Sequence, residues 1–143
     1  MTQNLRKKLM QIANRLFGRG FSRSAALATA WKLIKCRRLE TRVAGTSFDG
    51  RQNVIALLAK YSPELVSVEL HREPQNVHDR NAVAVIASVP GKVKAKLGYL
   101  PKAVAAVVAA VLDKGLAITG KQLRITGGYG EFQSYGARIT VAM

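Results

Sequence analysis

The stretch Glu69-Leu70-His71-Arg72-Glu73-Pro74-Gln75-Asn76-Val77-His78-Asp79-Arg80-Asn81-Ala82 holds the densest chemistry in the chain, including both of its histidines. Nine positions from His71 to Asn81 are polar or charged, although hydrophobic runs lie on either side. Pro74 forbids regular helix there and biases Glu73 toward extended backbone. Asp79 and Asn81 can fold their side chains onto nearby backbone donors, so the plainer reading is a well-made turn. His71, Glu73, His78 and Asp79 are also metal-ligating types, and a His-Asp pair occurs in metal phosphohydrolases. Such sites draw further His and Asp ligands from surrounding helices, and this chain has no third histidine, so no metal is expected.

Nucleophilic catalysis has less support. The single cysteine, Cys36, lies in a basic helical segment, and no Gly-x-Ser-x-Gly elbow is present. The run Gly127-Gly128-Tyr129-Gly130 follows a strand pattern but leads into another strand, not a helix, and reads as a hairpin turn instead of a phosphate loop. The expectation is a protein that is not an enzyme and uses no cofactor. One cysteine can form no internal disulfide, which fits a reducing compartment, the cytoplasm of a bacterial or phage-infected cell.

Charge narrows the partners. Lysine and arginine total 23 against 8 acids, a net charge of +15. Residues 1–42 hold eleven of the basic residues and one acid, Glu40. Such an excess concentrates polyanions at the surface and favours nucleic acid. The longest uncharged apolar run, Ala103 to Leu112, is too short to cross a bilayer, and Met1–Lys8 is followed by no leader-like apolar segment. No membrane association is expected.

The elements that must position these residues fall into two parts, a basic helical arm at 1–38 and a second domain at 39–143. Leu5, Leu9, Ile12, Ala13 and Leu16 recur at helical steps; Gly18 and Gly20 interrupt them, and Ser22 or Ser24 can cap a second helix. That helix carries Ala26, Leu27, Ala30, Trp31 and Ile34 on one stripe, with Trp31 expected to anchor the hairpin in preference to serving as a base-stacking platform. Beyond it, strands are expected at 42–48, 65–70, 82–86, 93–99, 117–126 and 138–143. A short helix falls at 53–60, and a buried one runs from Lys102 to Lys114, opened by Pro101 and stopped by Gly115. In the strand at 93–99, Lys94 and Lys96 alternate with Val93, Ala95 and Leu97. About six short strands with helical insertions predict an α+β fold in which a small, partly open barrel buries its edges.

Three segments together carry a family resemblance. They are Val43-Ala44-Gly45-Thr46-Ser47-Phe48, the core Val68 to Val85 with Glu73-Pro74-Gln75-Asn76-Val77-His78-Asp79-Arg80-Asn81-Ala82-Val83, and Leu97-Gly98-Tyr99-Leu100-Pro101. The chain from Leu39 to Met143 resembles the HIRAN domain, with its V-x-G strand, E-P-x-N-x-x-D-x-N-A core and a later G-Y-L-P-type element before a helix. The resemblance implies a compact barrel related to oligonucleotide-binding folds. It also implies a module that grips the 3′ end of single-stranded DNA, as found in fork-remodelling proteins and in small stand-alone bacterial and phage proteins.

Carried over by position, Phe48 matches an aromatic that stacks on a base, and His78 replaces a tyrosine with the same role. Asp79 matches an aspartate that meets the terminal 3′-hydroxyl, Tyr99 a pocket histidine, and Lys102 a phosphate-binding lysine. Phe132 matches a further stacking aromatic, and Ser47 stands where an arginine occurs. Arg72 and Asn76 belong to the same loop motif, while Lys94 and Lys96 add phosphate attraction. The expected function is a single-stranded DNA-binding module reading free 3′ ends, in DNA repair, replication or phage–host DNA processing. The alternative is an adaptor or inhibitor that docks on a nuclease, helicase or CRISPR-type effector through the N-terminal helices, with Leu27, Trp31 and Ile34 facing the partner.

Overall fold

The computed structural model describes residues 3–18, 23–47, 50–127 and 134–143. Two helices, α1 (Gln3–Gly18) and α2 (Arg23–Cys36), precede β1 (Arg38–Arg42) and a short α3 (Arg51–Leu58). A 3₁₀ turn at Pro63–Leu65 leads into β2 (Ser67–Arg72), β3 (Val83–Val89) and β4 (Val93–Tyr99). Helix α4 (Lys102–Asp113) is followed by β5 (Thr119–Gly127) and β6 (Tyr135–Ala142).

The strands form two antiparallel three-stranded sheets, ordered β1-β6-β5 and β2-β3-β4. Six strands match the expected number, but among the described residues they do not close into a barrel. Hydrogen bonding between the sheets stops at two seams. At one, β5 packs on β2 without a ladder, and Gly120 allows the approach: a Cβ there would lie 2.8 Å from Val68 Cγ1. At the other, a single bridge joins the sheets. Ala44 N–H donates to the Tyr99 carbonyl at 2.7 Å, and Tyr99 N–H donates to the Ala44 carbonyl at 2.9 Å. Helix α3 packs on both β4 and β6 beside this bridge, so a helix supplies the edge protection that closure would otherwise give.

The first strand also differs from expectation. The hydrophobic pattern points to 42–48, whereas pairing with β6 begins at Arg38, directly after Arg37 turns out of α2 at φ +56°. Such a pattern marks which face of a strand is buried but not where its ladder ends, and β1 is mostly exposed.

Helix α4 lies at the centre. Ala105, Ala106, Val107, Val108, Ala109 and Val111 are all buried, against β3 on one side and the α1–α2 hairpin on the other. Leu9, Ile12 and Leu33 are fully buried in the same core, so the helical hairpin completes it. The expected role of Trp31 is overturned. Helix α2 turns Thr29, Ala30 and Leu33 inward, and Trp31 is 53% exposed. Against the flat Ala/Val surface of α4, small and medium side chains permit close helix approach where a bulky indole would hold the helices apart. No helix among the described residues is long and apolar enough to cross a membrane.

Candidate nucleic-acid interface

A cleft of about 500 Å³ opens between the β2–β3 loop, the Ala44–Gly45 segment beyond the first strand, and the starts of α3 and α4. Asn76, His78, Asp79, Tyr99 and Lys102, from separate parts of the sequence, all line it. So does Arg51, which sequence reasoning missed. The volume falls in the range of ordinary ligand sites.

The loop builds itself from local side-chain-to-backbone bonds. Asn76 Oδ1 accepts from the backbone N–H of His78 (2.9 Å) and Asp79 (3.1 Å), and Asp79 Oδ1 accepts from Asn81 N–H (2.9 Å). Glu73 N–H donates to the Ala82 carbonyl at 2.9 Å, closing the base of the loop. His78 is exposed and Asp79 half-buried. The turn bond expected of Asp79 is therefore present. The second such side chain is Asn76 and not the expected Asn81, which takes part through its backbone N–H. The loop presents an imidazole and a carboxylate to the cleft.

Tyr99 is held through its hydroxyl. It donates to Glu73 Oε1 at 3.0 Å and accepts from Lys96 Nζ at 2.9 Å. Lys96 Nζ also donates to Glu73 Oε2 at 2.8 Å, and Asn76 Nδ2 donates to Glu73 Oε1 at 3.2 Å. Burial tends to raise the Glu73 carboxyl pKa. The hydrogen bonds from Lys96, Asn76 and Tyr99 outweigh that and leave it below the ordinary value. The bond to Glu73, with that to Tyr99, raises the Lys96 ammonium above its ordinary value.

This grouping depends on a β-bulge. Val85 pairs with Gly98 and Ile86 with Lys96, so Leu97 is the extra residue. Strict alternation would put Lys96 and Tyr99 on opposite faces; the bulge restores them to one. Gly98 follows directly, where a Cβ would come within 2.1 Å of the Ala44 carbonyl oxygen.

Arg51 reaches the cleft from the first residue of α3. Its Nη1 donates to the Gly45 carbonyl at 2.7 Å, and its guanidinium lies 5.5 Å from the Tyr99 ring centroid. Gln52 anchors this end of the helix by bonding the Thr46 carbonyl and both backbone groups of Tyr135. The only sequence signal for Arg51 is its place just past the Asp49-Gly50 turn, which does not distinguish it from other surface arginines.

Other expected residues lie elsewhere. Arg72 clasps Asp113 at the end of α4 and donates to the Arg80 carbonyl, supporting the loop from outside the cleft. Lys94 sits on the outer face of its sheet, 3.8 Å from Glu69, which also meets His71 at 2.9 Å. Lys96 serves Tyr99 and Glu73 and does not line the cleft. Phe48 and Phe132 lie outside the described residues. Among the described residues, no three carboxylates, imidazoles or thiols cluster as a metal site would require.

Among the described residues, the cleft thus combines the Tyr99 ring, the His78 imidazole, the cations of Arg51 and Lys102 and the Asp79 carboxylate. Cations attract phosphates, flat rings take bases, and a carboxylate accepts a hydrogen bond from a hydroxyl. In comparison with known proteins, the model of the HIRAN domain matches residues 37–139. A crystal structure of a protein from Lactobacillus plantarum is similar at 22% identity and a TM-score of 0.46, over 74% of this chain and 95% of that one. No curated protein sequence matches.

Proposed function

Because the chain belongs to the HIRAN domain family, which is associated with DNA binding, we propose that its cleft receives the free 3′ end of a single DNA strand and holds it without chemical change. The observation that carries this reading is the convergence of His78, Asp79, Tyr99, Lys102 and Arg51 on one cleft. Arg51 and Lys102 attract the backbone phosphates. The Tyr99 ring and the His78 imidazole offer flat faces to the terminal bases. Asp79 has one oxygen engaged by Asn81 N–H and turns its charge toward the end of the strand.

A carboxylate selects an end by what it repels. A continuing strand or a terminal phosphate brings negative charge close to Asp79, costing about 1–4 kcal/mol at close range in a surface cleft. A free hydroxyl donates a hydrogen bond instead. The Asp79 carboxylate beside Arg51 and Lys102 therefore suits a terminus better than an internal nucleotide. The natural setting for such a module is the handling of exposed DNA ends in repair or replication.

The test compares oligonucleotides ending in a 3′-hydroxyl or a 3′-phosphate. The parent is expected to prefer the hydroxyl by about tenfold or more. Asp79→Asn keeps an acceptor for Asn81 and removes the charge, so the preference should shrink severalfold while thermal stability holds. Equal discrimination by variant and parent would remove the end-reading role.

A further inference from the structure

Trp31 is the chain's one tryptophan and lies outside the residues that match the family model. A solitary exposed apolar side chain is ordinary on a protein surface. This one is set apart by its electrostatic surroundings. Lys35 Nζ stands 6.0 Å from the indole centroid, and Lys32, Arg37 and Arg38 are exposed on the same helix or just beyond it. The sole acid of residues 1–42, Glu40, is already held by Arg124 Nη2 at 2.6 Å and Arg138 Nε at 2.8 Å. Among the described residues, no carboxylate forms an ion pair with Lys32 or Lys35 beside the indole.

We infer that the exposed side of α2 is a second binding surface for single-stranded nucleic acid, in which a base stacks on Trp31 and neighbouring phosphates meet Lys32 and Lys35. The inference rests on the chain binding DNA but not on the cleft choosing a 3′ end. A flat, electron-rich ring beside cations matches the alternation of base and phosphate along a strand. An acidic protein surface would have to supply a pocket for the ring as well as charge for the cations, whereas a single strand repeats base and phosphate along its length. An anionic membrane would satisfy the charge, but among the described side chains of α2 the one large exposed apolar group is an indole flanked by lysines, not a broad apolar face.

Because the chain has no other tryptophan, its fluorescence reports this surface alone. The full-length protein is titrated with linear oligothymidylate, circular single-stranded DNA, duplex DNA, polyglutamate and phosphatidylserine vesicles. Linear and circular strands are expected to quench Trp31, the circle because this surface needs no end, and duplex much less because its bases are stacked inside. Trp31→Ala should weaken binding of a long strand about 5- to 100-fold, and Trp31→Phe should recover most of that affinity. Unquenched fluorescence at saturating strand would overturn the inference, as would equal quenching by duplex, or quenching by polyglutamate or vesicles but not by DNA. If the circle quenches while 3′-hydroxyl preference is absent, the end-reading role fails and this one stands.

Discussion

Glu73 is the residue on which the cleft's geometry turns. Three donors, from Lys96, Asn76 and Tyr99, converge on its two oxygens. Removing the charge by Glu73→Gln should cost about 1–2 kcal/mol of stability, since hydrogen bonds to charged groups carry the larger share of such networks. Its pKa is lowered on folding, so its stabilisation is present above the ordinary carboxyl value of 4.5 and is lost as pH falls through the lowered folded value. The raised Lys96 works the other way, contributing below 10.5 and fading as pH rises past its folded value. Urea midpoints measured across acid pH should therefore decline in the parent and decline less in Glu73→Gln; parallel profiles would contradict this account. The turn bond of Asp79 is legible in the sequence because it reaches only two residues along the chain. The equally local bonds of Asn76 read in sequence as bonds of Asn81, because neighbouring Asx side chains offer the same turn chemistry. Glu73 reads in sequence merely as a possible ligand, because its partners Lys96 and Tyr99 lie 23 and 26 residues away.

Among the elements, β4 shows what pattern reading misses. Its alternation of lysine and apolar residues is visible, but the extra residue at Leu97 is not, and that residue decides which face Tyr99 occupies. A bulge leaves no mark in hydrophobicity. Glycine after it is the one trace: Gly98 sits where the Ala44 carbonyl leaves no room for a methyl group. Gly98→Ala must break or distort the bridge between the sheets, and a loss of about 2–4 kcal/mol is expected, with weaker oligonucleotide binding as the cleft wall shifts. Thermal unfolding beside an anisotropy titration measures both; a variant as stable as the parent would show that the bridge gives way at little cost. Helix α4 is legible nearly to the residue, because Pro101 and Lys114-Gly115 are strong local stops around an unbroken apolar run.

At the scale of the whole molecule, the charge imbalance is plain in the sequence, but its placement is not. The hairpin α1–α2 buries Leu9, Ile12 and Leu33 with the body of the protein, so its cations are mounted on the core. Periodicity misplaces Trp31 because it identifies a stripe without its partner's shape, and α4 accepts Ala30 and Leu33 in its place. Truncating the hairpin would uncover α4 and confuse stability with binding, so charge changes are the cleaner probe. Lys32→Gln with Lys35→Gln should leave the urea midpoint nearly unchanged. Each phosphate-neutralising lysine removed should flatten log affinity against log salt by about 0.7 on single strands, giving a combined change near ~1.4. An unchanged slope would place the phosphates elsewhere.

The β2–β3 loop owes its shape to bonds between its own side chains and its own backbone, with Arg72 bracing it from behind. The entropy of ordering it is spent during folding, before any strand arrives. Val77, 91% exposed, and His78 ride at its tip and take no side-chain part in those bonds. They form an interchangeable head on a fixed mount, where new recognition chemistry can be tried by substitution without re-engineering the protein beneath.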